Sequence, residues 1–278
     1  MRRLHGVGRI VLVLAAVLAV LLAFAVWFVT ATPGSHHRGP LPPLDAEGRK
    51  LAENLKIHVA AVASEEHNVA HPEALERSAR YIEATLSGLG YAVSRQEFET
   101  EGVKVRNLEV SLGSGTRLLV IGAHYDSALE AVGANDNGSG VAALIELARF
   151  LKAVQPAQGL EVRLVFYVNE ELPWFGTDKM GSYVHAKGLA SEGKEVAAML
   201  SLETIGWYSE NFDSQRYPFP FSLFYPSKGN FVGFVANLRS RGLMHRVVGS
   251  FRRAVVFPSE GGAAPESVPG VNWSDQWA

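Results

Sequence analysis

The sequence predicts an α/β protein in which a mixed, mainly parallel central sheet is flanked by helices and preceded by one N-terminal transmembrane helix. Three observations lead there. Residues 10–29 (IVLVLAAVLAVLLAFAVWFV) are apolar without interruption. Beyond residue 45, apolar stretches at 118–121, 162–168 and 196–202 alternate with segments of helical spacing. The 278 residues suffice for one large α/β domain or two small ones.

The N-terminal run comes first in chain order. At 1.5 Å per residue it spans a hydrocarbon core of ~30 Å, and a buried core helix is seldom apolar all round. Arg2, Arg3 and Arg9 precede it, while only Arg38 follows closely. The positive-inside rule then leaves the N-terminus in the cytoplasm and sends the rest across the cell membrane in a single pass. Trp27 stands where an interfacial aromatic would. The run is long for the core of a cleaved signal peptide, and export is expected in either case. The organisation expected is a cytoplasmic stub and anchor at 1–30, a linker at 31–44, and one globular domain at 45–278. The linker is rich in Pro, Gly and His, and its adjacent His36 and His37 read as solvated.

Two helices are expected at 45–63 and 71–90. The second places Leu75, Ala79, Ile82 and Leu86 on one face and ends on the stop signals Gly88 and Gly90. VAALIELARFL follows the first apolar stretch with Leu144, Ile145, Ala148 and Leu151 on one face, and a shorter helix is expected near 179–187. Strands alternating with helices favour parallel strands at the centre of the sheet. The net charge of −2 offers no basic face for a phosphate backbone, so no nucleic-acid partner is expected. With no cysteine, neither a disulfide framework nor thiolate metal ligands are available. No GxGxxG or GK[ST] loop stands at a strand-to-helix turn.

Each apolar stretch is followed by acids or His. His124 and Asp126 follow the first, with Asp136 in the next loop; Asn169, Glu170 and Glu171 follow the second; Glu203 follows the third. The carboxyl ends of strands line the ligand crevice of an open α/β sheet, so these segments point at one place. Taken singly, the His is an ordinary structural residue, NDNG an ordinary turn and Glu-Glu an ordinary solvated strand end. Glu203 differs, because a carboxylate after an apolar run needs a partner charge. One imidazole with several carboxylates and no sulfur suits Zn²⁺ or a similar divalent ion. The set fits two ions ~4 Å apart sharing a bridging carboxylate. Asp136, Glu171 and Glu203 with a bridging hydroxide would balance two divalent charges, leaving Glu170 free as general base.

GAHYDS, GANDNGSG, NEE and SLETIGWYS occur in the order and spacing of the M28 metallopeptidases, which the chain resembles from about Leu51 onward. YPFPFSLFYPSKGNF and FPSEGG resemble its membrane-anchored bacterial branch. The resemblance implies a zinc-exopeptidase fold, a peptide substrate and co-catalytic zinc. It implies that His124 and Glu203 hold one zinc, that Asp136 bridges, that Glu171 holds the second and that Glu170 is the base. Asp126 would fix the His124 imidazole. Many family members carry Asp where Glu203 stands. The family's fifth ligand is a His beyond a WSDHW-like segment. Here that segment reads Trp273-Ser274-Asp275-Gln276-Trp277, one residue before the last. The domain is therefore expected to be incomplete at its C-terminus, with two zinc ions in an intact relative and one in this chain. His185 and His245 are spare imidazoles that the pattern does not place in the site.

The expected activity is removal of N-terminal residues from peptides by metal-activated water. A glutaminyl-cyclase-like acyltransferase with one zinc and an inactive exported binding domain are the alternatives.

Overall fold

A computed structural model describes residues 2–278, with side chains from residue 9 onward. The side chains of Arg2 and Arg3, on which the orientation of the anchor turns, lie outside the described residues. The chain forms two units, Met1–Pro42 with Tyr208–Val271, and Pro43–Trp207 with Asn272–Ala278.

The second of these carries the sheet. Its strands are β1 (Ser94–Thr100), β2 (Val103–Gly113), β3 (Gly115–His124), β4 (Gly159–Tyr167) and β5 (Glu195–Ser201), in the order β1-β2-β4-β3-β5. β4, β3 and β5 run parallel, while β2 pairs antiparallel with β4 and β1 antiparallel with β2. β4 is central and buried along most of its length, which is why it reads as a near-continuous apolar run. Alternate residues divide between its faces. Val162, Leu164, Phe166 and Val168 join Ile121, Ala123, Leu144, Ile145, Ile82 and Leu86 in the main core. Val165 and Tyr167 pack with Leu118, Val120 and Leu189 on the other side.

α2 (Ala46–Val62), α3 (Pro72–Gly88) and α4 (Gly138–Leu151) pack with the main core, and α5 (Gly181–Ser191) lies on the opposite side. α3 buries the four apolar residues expected of it, and Gly90 beyond its end has a φ of 83°. The Asp45 side chain accepts a hydrogen bond from the Gly48 amide (2.7 Å) and so caps α2. Because this cap is exposed and remote from the sheet, Asp45→Ala is expected to cost about 1 kcal/mol. A denaturant melt at unchanged m-value would show it.

Two features depart from expectation. The β1–β2 hairpin was not foreseen; it turns at Glu101 and Gly102, both with positive φ, as a two-residue hairpin requires. β5 was expected to be buried, yet it forms a sheet edge and Val196 is 45% exposed.

In the first unit, α1 (Arg2–Thr30) contains the one candidate span among the described residues, 22 residues from Arg9 to Thr30. β6 (Val232–Asn237) and β7 (Ser259–Ala264) pair in parallel through the crossover helix α6 (Arg241–Ala254). The stretch after α1 is held in place. Arg252 donates to Thr32 Oγ1 and the Pro33 carbonyl, both at 2.9 Å. His36, expected to be solvated, pairs with Glu260 at 2.8 Å.

Candidate functional site

The ends of β3, β4 and β5 place the expected residues together. His124 is the last residue of β3, and its side chain is wholly buried. Its Nδ1 lies 3.1 Å from the Asp126 carbonyl and 3.5 Å from Asp126 Oδ1. Its Nε2 faces Asp136 Oδ1 at 3.2 Å, Glu203 Oε2 at 3.5 Å and Glu170 Oε2 at 3.7 Å. Despite these neighbours Nε2 makes no well-directed hydrogen bond, and buried Glu203 Oε1 has no partner either.

Local structure accounts for each position. Asp136 precedes α4, whose N-cap Asn137 accepts from the Gly140 amide (3.1 Å) and donates to the Leu202 carbonyl (2.8 Å). This ties the start of α4 to the exit of β5. A Cβ on Gly140 would sit 2.4 Å from that carbonyl, so only glycine permits the approach. Gly133, at φ 66°, turns the loop beneath Asp136. Beyond β4, Asn169 adopts a left-handed conformation (φ 62°) that Asn tolerates, and its amide is held by Thr100 Oγ1 and the Lys179 carbonyl. Asp126 accepts from the Glu170 and Glu171 amides at 3.1 and 3.2 Å. Asp126 therefore holds the imidazole through its carbonyl and the Glu-Glu loop through its carboxylate.

Donor atoms of His124, Asp136 and Glu203 lie within 4.8 Å of one another, as do those of His124, Glu170 and Glu171. His185 is not among them. It is held by Tyr167 Oη (3.1 Å) and Glu109 Oε2 (2.9 Å). His245 lies on α6 in the other unit.

The electrostatics are those of acids lacking a counter-charge. Burial pushes Glu170 up to about 9 against the opposing pull of His124, with Asp275, Asp126 and Glu203 adding to the rise. Burial likewise raises Glu171 to about 7. Burial opposes protonation of His124, but the neighbouring carboxylates of Asp126, Asp136 and Glu203 outweigh it and lift its pKa well above the usual value. Asp136 is lowered, chiefly by its contact with His124.

In the sequence Ser274 and Asp275 stand only within the WSDQW segment, and no local pattern gives them a role at the site. Ser274 Oγ donates to Glu203 Oε2 at 2.6 Å and meets Ser201 Oγ at 2.9 Å. Asp275 is buried without a hydrogen bond to either oxygen, and burial raises it to about 7. The residues offered to a divalent cation fit it: one imidazole nitrogen and several carboxylate oxygens converge, and two of the buried atoms have no other partner.

Residues 107–225 match the model of peptidase family M28. The chain is 37% identical over 211 residues to the uncharacterized protein YfbL of Escherichia coli (strain K12), covering 72% of this chain and 64% of that protein. It is 29% identical over 211 residues to leupeptin-inactivating enzyme 1 of Streptomyces exfoliatus, covering 71% and 45%. The chain thus spans less than two thirds of the length of these relatives. Two solved structures share its fold. A leucine aminopeptidase precursor from Bacteroides thetaiotaomicron superposes with a TM-score of 0.58 at 18% identity, over 86% of this chain and 81% of that one. A glutaminyl cyclase from Porphyromonas gingivalis gives 0.57 at 20% identity, over 81% and 77%.

Proposed function

Because the chain belongs to peptidase family M28, we propose that it is a membrane-anchored zinc aminopeptidase with Glu170 as its general base. The observation that carries this reading is the convergence of His124, Asp136 and Glu203 around a buried imidazole nitrogen that makes no well-directed hydrogen bond. His124 and Glu203 would hold one ion, Asp136 would bridge, and Glu171 would contribute to a second. A divalent ion bound there supplies Lewis acidity and lowers the pKa of water.

The chain's own residues supply the rest. Glu170 is buried beside His124, where its carboxylate takes a proton from water and returns it to the leaving amine. Its pKa of about 9 falls toward neutrality in the field of a cation, which brings it into the range of a working base. Asp126 keeps the imidazole oriented, so that Nε2 presents its lone pair to the cleft. Ser274 orients Glu203 in the same way. α1 spans the cell membrane with its N-terminus in the cytoplasm, and the catalytic unit works on peptides outside it.

The test is to strip the full-length protein in detergent with a chelator and return Zn²⁺. Hydrolysis of aminoacyl anilides should return with zinc, while N-acetylated analogues stay intact. Cleavage of blocked and free substrates alike would exclude an aminopeptidase. Ring closure of an N-terminal glutamine without anilide hydrolysis would establish the cyclase instead.

A further inference from the structure

α1 does not pass into a slack tether. Arg241, at the start of α6, donates through Nε to the Phe28 carbonyl (2.7 Å), and its guanidinium lies 4.3 Å over the Phe28 ring. Arg252, near the other end of α6, holds the chain at Thr32 and Pro33. Pro33 packs against Gly249, where a Cβ would meet it at 3.3 Å. Residues 28–33 are thus fastened along α6 and belong to the same unit. The candidate span ends at Thr30. A residue bonded to the Phe28 carbonyl therefore sits at the depth where the apolar helix leaves the bilayer.

We propose that the turn joining β6 to α6, with the first turn of α6, rests on the phospholipid headgroups of the bilayer that α1 spans, and that its arginines favour anionic lipid. The inference rests on reading α1 as a membrane span. Its composition fits a headgroup layer. Leu238 is 42% exposed, Arg239 between Leu238 and α6 is exposed as well, and Val235 on the adjoining strand β6 is 65% exposed. Residues 238–254 carry five arginines and no acid. The acids of β7 and the segment after it are engaged elsewhere. Glu260 holds His36, and Glu266 accepts from Asn237 Nδ2 at 3.0 Å.

Exposed aliphatic side chains beside arginines suit the boundary between acyl chains and phosphates, where an aqueous loop would carry mixed charge. Chain order removes the obvious objection. Arg241 follows Phe28 by 213 residues, whereas the charges that orient a span lie within ~15–20 residues of its ends. Arginines can therefore gather at the outer surface after folding without reversing the anchor.

The chain has no cysteine, so a single introduced thiol reports unambiguously. Leu238→Cys and, as a mid-span reference, Leu22→Cys would be labelled with a fluorophore in the full-length protein. Each would be reconstituted into vesicles of phosphatidylcholine with or without phosphatidylglycerol. Quenching by a headgroup-attached nitroxide would be compared with quenching by aqueous iodide. The Leu238 label should respond to the headgroup quencher. With phosphatidylglycerol present, the ratio of headgroup to iodide quenching should rise about fivefold, the effect of one arginine at a charged surface. Arg239→Glu should remove that rise. A Leu238 label that behaves like free dye, while the Leu22 label is quenched by lipid, would overturn the inference and leave the anchor standing. An equal response with and without phosphatidylglycerol would overturn the lipid preference. A Leu22 label open to iodide would remove the anchor itself, and the inference with it.

Discussion

Glu170→Gln should lower kcat by about 10²–10⁴-fold, the loss typical of a general acid–base group, with bound metal unchanged. The second half of that expectation discriminates. Glu170 lies in a donor group with His124 and Glu171, so its carboxylate could in principle serve as a ligand instead. Gln is nearly isosteric and keeps one acceptor oxygen, but it cannot take a proton. Metal analysis of the variant therefore separates the roles: retained zinc with lost turnover marks a base, and lost zinc marks a ligand. Glu171→Gln should show the opposite pattern, losing metal first and activity as a result. An active Glu170→Gln enzyme would place the base elsewhere.

The metal-stripped protein should lose stability as pH rises from about 5 to 9, and zinc should reverse the trend. Glu170, Glu171 and Asp275 all have folded pKa values above their usual ones, at about 9, 7 and 7. A carboxyl whose folded pKa is raised contributes its full stability below its unfolded value. That contribution is lost as pH rises through the folded value, because ionisation is then easier in the unfolded chain. His124 is raised too and acts in the same direction, losing its contribution as it deprotonates. Asp136 is lowered and acts oppositely, but its gain is complete before pH 5. A few kcal/mol lost over this window corresponds to a Tm lower by about 10 °C, at ~2–4 °C per kcal/mol for a domain of this size. Zinc requires deprotonated ligands, so its stabilisation grows where the apoprotein weakens. Thermal melts of the stripped protein at pH 5.5, 7 and 9, with and without zinc, measure both arms. A Tm independent of pH in the stripped protein would mean that burial does not hold these carboxyls in their protonated form.

The centre of the fold was legible because burial there leaves a simple trace. β4 is covered on both sides and so reads as an apolar run, and α3 shows its period in Leu75, Ala79, Ile82 and Leu86. The β1–β2 hairpin escaped notice because SRQEFET is polar and largely exposed, with Phe98 its sole apolar side chain. β5 misled in the other direction: its apolar letters promised burial that an edge strand does not have. β7, reading SEGGAA, carries no strand propensity. Its glycines are there to admit neighbours, since a Cβ on Gly262 would meet Tyr225 Oη at 2.3 Å. The nearness of His124, Glu170, Glu171 and Glu203 was legible because they follow strands whose ends share a direction, and Asp136 lies in the loop from β3 to α4. The hydrogen bond from Ser274 to Glu203 was not, because no local pattern links residues 71 positions apart.

That separation sets a timetable for a chain made from its N-terminus. β1 to β5 and Glu203 all emerge before the excursion through Tyr208–Val271 begins, and Ser274 follows only after it. At about 5–20 residues per second, the 71 residues take on the order of 4–14 s to add. Throughout that interval Glu203 lacks the hydroxyl that orients it in the finished fold. The orientation of Glu203 by a hydroxyl is thus a late event of biosynthesis, timed by the arrival of a single serine.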